Sequence, residues 1–219
     1  VHDRVPDFQD AIRSRFPGYQ ESEGIMFELT EGPPRQRMVR QHRFTAKREP
    51  TIALLGDQAV SLEYRDHQDR ATLLRDARLV SSALETVYSN VSPQRLGLRY
   101  VNRIELRQIG DDLGREVSWS DVLTPDFIAV PTGLADLTGS RFASELTSPL
   151  SPGEMTVRMG LLPLPGRTDV GFRLDVDRYT EEDFSIADVD GLLGGFVDDI
   201  YNLFRAAAGP ALIEWMEAK

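Results

Sequence analysis

The sequence predicts an α+β protein, a mostly antiparallel sheet with long helices packed on one face. Two observations predict it. Apolar residues alternate along several short runs that are separated by Gly, Pro and Asp turns, the pattern of β-hairpins. Each series of such runs is followed by a long segment of helical period, and strands in runs followed by helices make an α+β architecture. The order suggests two β-β-β-α halves, although no residue-level repeat accompanies it. A length of 219 residues suits one domain, or two subdomains at 1–107 and 141–219 joined by an irregular segment, 108–140.

Taken in order, Phe8, Ile12 and Phe16 are spaced as one helical face, and Pro17-Gly18 stops that helix. Ile25, Phe27 and Leu29 alternate before a Pro-Pro turn at 33–34, and residues 36–46 read as a second strand. "TIALLGDQAVSLEY" is the clearest hairpin, its β-rich arms meeting at Gly56-Asp57. Asp69 is placed to cap a helix of about five turns, with Leu73, Ala77, Val80, Leu84 and Val87 recurring at three and four residues. A strand follows over 95–107. Residues 108–140 are rich in Gly, Asp, Pro and Thr, with "SWSDVL" as one helical turn. Met155, Val157, Met159 and Leu161 then alternate, as do Val170, Phe172, Leu174 and Val176. After Asp188 a helix carries Val189, Leu193, Phe196, Ile200, Leu203 and Ala207 on one face, Gly209-Pro210 ends it, and Leu212, Trp215 and Met216 mark a last helix. Gly194-Gly195 inside the helical pattern implies close packing of that helix on a sheet.

Composition narrows the function classes. Apolar residues are 41% and charged residues 27%, the balance of a folded domain. No apolar run approaches the roughly 18–20 residues of a membrane span, so no membrane is expected. There is no cysteine, which removes disulfides, thiol catalysis and cysteine-held metals and fits a cytoplasmic protein. The net charge is −10, unevenly spread: +2 over residues 1–107 and −12 over 108–219. Such a chain repels phosphate backbones, so DNA is not expected as its main ligand. The acidic half instead suits a protein partner with a basic surface.

The stretch "RLGLRYVNRIEL", 95–106, carries the candidate site. Leu96, Leu98, Tyr100, Ile104 and Leu106 share one face, interrupted by Asn102, whose amide would need a backbone partner if buried. Arg99, Arg103 and Glu105 project from the other, and Arg103 and Glu105 are spaced to pair along the strand. On "FRLDVD", Arg173, Asp175 and Asp177 face outward while Phe172, Leu174 and Val176 point inward. If the two strands are neighbours, Arg99 or Arg103 meets Asp175 or Asp177 in a charge ladder. The competing reading is an anion site of planar guanidiniums on a concave sheet, holding a phosphorylated small molecule.

"RLGLRYVNRIEL" resembles the hallmark strand of the sporadTIGR group, a sporadically distributed family of uncharacterised prokaryotic proteins. "RFP" at 15–17, the hairpin at 53–64, "FRLDVDRY" at 172–179 and "IYNLFRAAAGPALIEWM" at the end follow in the order of that group. The chain departs from it in showing no strand before Val5. The resemblance implies no particular activity; the patchy occurrence of the group implies mobile or defence-linked gene neighbourhoods.

Other chemistries find little support. Asp175 and Asp177, with Glu181, Glu182 and Asp183 beyond, offer two strand carboxylates and a solvated acidic connection, too few convergent ligands for a metal. His2, His42 and His67 belong to no metal or triad motif, and no phosphate-binding glycine loop appears, so no cofactor is expected. "RQRMVRQHRFTAKR", 35–48, has six basic residues and could meet an acidic partner, RNA stacked on Phe44, or the acidic half of the same chain. The expectation is a non-enzymatic binding or regulatory protein beside a toxin or defence effector, able to form homo-oligomers. The alternative is a nucleotide-like sensor or enzyme using Arg99 and Arg103.

Overall fold

The computed structural model describes residues 2–28, 35–47, 50–66, 69–88, 91–132, 142–164 and 170–218. It is α+β, and its contacts divide it into two compact units. The first comprises Val1–Pro93 and Asp183–Gly194; the second comprises Gln94–Glu182 and Gly195–Lys219.

In the first unit a short helix, Val5–Ile12 (α1), has proline in its first turn, where a missing N–H costs nothing. Four antiparallel strands follow in sequential order: Gly18–Glu28 (β1), Arg35–Thr45 (β2), Thr51–Leu55 (β3) and Val60–Tyr64 (β4). β1 starts seven residues before the alternation at Ile25, and β2 contacts β3 only over His42–Thr45. The rest of the β1–β2 pair is therefore a two-stranded ribbon. The β3–β4 turn closes through the Gly56 N–H on the Ala59 carbonyl at 2.9 Å.

Arg70–Val87 (α2) is capped as its sequence predicts: Asp69 accepts from the Thr72 N–H at 2.9 Å. Val80, Ala83 and Val87 of α2 pack with Val5, Phe8, Ile12 and Phe16 against Phe44, Ala53 and Leu55 of the sheet. One polar residue shares that buried face. Asp76 is fully enclosed and takes two guanidinium nitrogens of Arg15 and the Tyr64 hydroxyl.

The second unit opens with Leu96–Ile104 (β5), followed by three short helices, Leu106–Leu113 (α3), Trp119–Val122 (α4) and Pro125–Thr132 (α5). The segment read as irregular is thus helical over much of its described length. Residues 133–140 lie outside the described residues. Then come Phe142–Pro149 (β6), Glu154–Pro163 (β7) and Val170–Thr180 (β8), and the helices Val189–Ala207 (α6) and Pro210–Glu217 (α7). β6, β7 and β8 form a meander, and β5 adds antiparallel to β8, giving the order β5-β8-β7-β6 with β5 outermost. Each sheet has four strands rather than three, and the two orders differ, so the halves do not repeat one topology.

Ile104, Val157, Leu161, Phe172, Leu174 and Val176 form the inner face of this second sheet, covered by Ile109, Trp119, Val122, Ile200 and Leu212 of the helices. Arg178 lies in the same inward phase and is buried. Its Nε donates to Asp199 at 2.9 Å and its Nη1 to the carbonyls of Pro152, Glu154 and Tyr179, while its guanidinium lies 4.5 Å from the Phe196 ring centre. The turn it anchors needs Gly153, whose φ is 89° and whose Cβ would fall 2.1 Å from the Tyr179 carbonyl oxygen.

Gly194 and Gly195 have a different setting from the one their pattern suggested. The Arg70 Nη2 of α2 donates to the Gly194 carbonyl at 3.1 Å and sits where a Cβ would approach, whereas a Cβ on Gly195 would meet nothing. No helix among the described residues is long and apolar enough to cross a membrane.

Candidate functional site

The candidate residues converge on the outer face of the second sheet. Register fixes its rows. Reading from β5 across β8 to β7, Arg99 stands opposite Asp177 and then Thr156; Val101 opposite Asp175 and Arg158; Arg103 opposite Arg173 and Gly160. Side chains on such rows are immediate neighbours, with Cβ atoms about 4.5–5.5 Å apart.

Arg99 reaches diagonally along this lattice to Asp175. Its Nε donates to Oδ1 at 2.8 Å and its Nη2 to Oδ2 at 2.7 Å, a bidentate pair. Arg173 donates to the same Oδ2 through its Nη2. Asp175 is completely buried beneath the two guanidiniums, while the Arg99 side chain is 51% exposed. The Arg99 hydrogen bonds hold the Asp175 carboxyl below the usual carboxylate range, helped by Arg173 and opposed by burial. The same contact raises the Arg99 pKa.

Asp177 belongs to another cluster. Its partner is Arg95, at 3.2 Å, which also lies 3.7 Å from Glu181 and 4.5 Å from the Tyr179 ring centre. Arg95 shares the odd-numbered phase of Arg99 and Arg103, the signal that identifies it from sequence.

Arg103 and Glu105 depart from the expected pairing. β5 ends at Ile104, so Glu105 leaves the row and becomes the residue that precedes α3. Arg103 is exposed, has no carboxylate partner among the described residues, and faces a second arginine. The Nε of Arg173 is buried without a hydrogen-bond partner, an omission that costs about 1–3 kcal/mol. Gly160 completes the row without a side chain because its Cβ would fall 2.1 Å from the Phe142 carbonyl oxygen of β6. Asn102 is half-buried on the inner face opposite Leu174, so the full burial that would demand an internal partner does not arise.

Several acidic residues beyond β8 have partners of their own. Glu182 accepts from the Gly153 N–H at 2.8 Å, Asp188 forms a capping box with Ser185, and Asp190 pairs with Arg78 at 2.7 Å. Glu181, Glu182 and Asp183 are exposed, so the acidic connection is solvated as read, with Glu182 additionally holding the turn at Gly153. No group of three or more His, Cys, Asp or Glu side chains arranged for a metal occurs among the described residues.

In the basic stretch, Arg40 is matched by Glu21 at 3.1 Å and Glu23 at 3.7 Å, both on the adjacent strand β1. Phe44 is fully buried and offers no face for a stacked base. Arg48 and His67 lie outside the described residues. His42 is buried, with its Nδ1 3.0 Å from the Tyr19 hydroxyl.

Two concavities among the described residues have linings separate from the candidate residues. One is bordered by Leu106, Gly110, Arg115 and Val117 and the other by Glu85, Tyr88, Pro93 and Phe184. Neither includes Arg99, Arg103, Arg173 or Asp175. The arrangement is an arginine-bearing outer sheet face. Comparison of the chain with protein-family models, with curated proteins and with solved structures found no match.

Proposed function

We propose that the chain is a non-enzymatic binding protein that regulates or neutralises a protein partner through surface contact. The observation that carries this reading is the bidentate closure of Arg99 on Asp175 in an exposed sheet face. The most distinctive arginine of the motif strand is satisfied within the fold, which favours a surface over a ligand seat. The net charge of −12 over residues 108–219 favours a partner that is basic overall, because summed charge governs long-range attraction. The sporadic distribution of the group that the motif strand resembles favours a toxin- or defence-linked partner.

Native mass spectrometry of the full chain purified from its own host tests the reading. A stoichiometric protein partner, released by moderate salt, is the expected result. A phosphorylated metabolite that survives purification, and that Arg99→Gln releases, would replace it with the sensor reading.

A further inference from the structure

Long-range attraction and local contact are separate matters, and the sheet face gives a specific local contact. Two guanidiniums, those of Arg99 and Arg173, share one carboxylate, Asp175, and a third arginine, Arg103, stands in the row of Arg173. Arg99 takes that carboxylate bidentately, and Arg173 shares one of its oxygens. Arg103 has none, and stands directly across the strand pair from Arg173. Like charges placed opposite one another in a sheet repel. The usual relief, a carboxylate next in the row, is excluded at Gly160, where the close passage of β6 forbids any side chain. The row therefore carries an uncompensated positive charge on an exposed surface. Exposed apolar groups flank it: Val101, two residues back along β5, and Leu162, two residues on along β7, are 47% and 43% exposed. Positive charge between two apolar side chains on a sheet face complements a segment whose carboxylates alternate with apolar residues.

We propose that Arg103 and Arg173 together seat a carboxylate from an acidic, partly apolar segment of the partner protein, with Val101 and Leu162 contacting its apolar residues. This rests on the protein-binding reading and adds the face and the partner chemistry to it. A planar carboxylate can bridge the two arginines, each guanidinium offering N–H donors to one oxygen. No proton transfer or covalent step is involved.

The test is a titration of the isotope-labelled full chain with the blocked peptide acetyl-LELELEL-amide, followed by nuclear magnetic resonance. Saturable shifts centred on the Arg103 and Arg173 side-chain N–H groups and on the Gly160 amide are expected. Arg103→Gln should weaken the peptide by roughly tenfold while leaving the folded spectrum intact. The proposal is overturned if the peptide with Gln in place of Glu binds equally well, or if Arg103→Gln has no effect. It is also overturned if inorganic phosphate produces the same shifts at lower concentration, which would mark a small-anion site. Sedimentation that shows dimers dissociated by Arg103→Gln would assign the face to a second copy instead. Capture of the host partner by the Arg103→Gln chain separates the two levels. Undiminished capture rejects this site and leaves the protein-binding reading standing, whereas a wild-type chain that captures no protein rejects that reading itself.

Discussion

Arg178 of β8 and Asp199 of α6 form an ion pair at 2.9 Å whose arginine is enclosed between sheet and helix. Three backbone carbonyls share the same guanidinium, so its donors are well used and its charge is answered. Arg178→Met should cost about 3–5 kcal/mol, because it strands Asp199 and those carbonyls, and urea unfolding measures it. Arg178→Lys should recover little of this loss, since an ammonium cannot reproduce the fork.

The charge lattice on the outer face predicts unequal effects for two neighbouring positions. Asp175→Asn leaves Arg99 and Arg173 facing each other without a counter-charge and should cost about 2–4 kcal/mol. Arg103→Ala removes an exposed arginine opposite another arginine and should change stability by less than about 0.5 kcal/mol. Unfolding curves that show equal losses for both would contradict the assignment of Asp175 as the anchor.

Acid should act through the depressed carboxylates. The folded-state pKa of Asp175 is lowered by Arg99 and Arg173, and those of Asp121 and Asp188 by the Ser118 and Ser185 groups they cap. A lowered pKa contributes stability above the unfolded carboxylate value of about 4, and that stability is lost as pH falls through the folded value. The urea midpoint should therefore drop on acidification below that value, with a shallower drop in Asp175→Asn.

Alkali should report on the first unit. Burial, and then the adjacent Asp76 carboxylate, raise the Tyr64 phenol above its ordinary value. Stability from a raised pKa is complete below the unfolded value of about 10 and is lost as pH rises through the folded one. Phenolate absorbance should show Tyr64 ionising late in an alkaline titration, and Tyr64→Phe should reduce the late amplitude by one tyrosine.

Gly153→Ala tests the turn beneath Arg178. A side chain at φ 89° meets the Tyr179 carbonyl at once, so a loss of about 2 kcal/mol or more is expected. Gly195→Ala, in open space within α6, should instead gain up to about 1 kcal/mol.

Particular residues show how much of this was legible beforehand. Asp69 as a cap, the hairpin around Gly56-Asp57, and the outward phase of Arg173, Asp175 and Asp177 follow from local chemistry, and local chemistry is what a sequence displays. The meeting of Arg99 with Asp175 needed only the added condition that their strands be neighbours, which β5 and β8 are. β6 escaped because "FASELTSP" is polar and largely exposed on both faces, leaving no alternation to detect. α4 is the helical turn that "SWSDVL" suggests. α3 escaped because the strand reading ran on to residue 107, although Leu106, Ile109 and Leu113 are spaced as one helical face, and α5 escaped because it is short. Arg178 shares the even-numbered phase of Phe172, Leu174 and Val176, so its position was written in the pattern. Its burial depended on Asp199 and on a turn that only the tertiary fold brings near. The opposition of Arg103 to Arg173 is a matter of register, and register between strands about 70 residues apart has no local signature.

Because β5 is the outermost strand of its sheet, one row of its main-chain amides and carbonyls has no sheet neighbour among the described residues. Such a rim is a template on which another extended chain can stack, and charged side chains are a common guard against it. Arg99 and Arg103 stand on that rim. Their combined replacement by valine would expose a nine-residue template in a run already rich in Leu, Tyr, Val and Ile, and fibre formation under thioflavin fluorescence is the expected result.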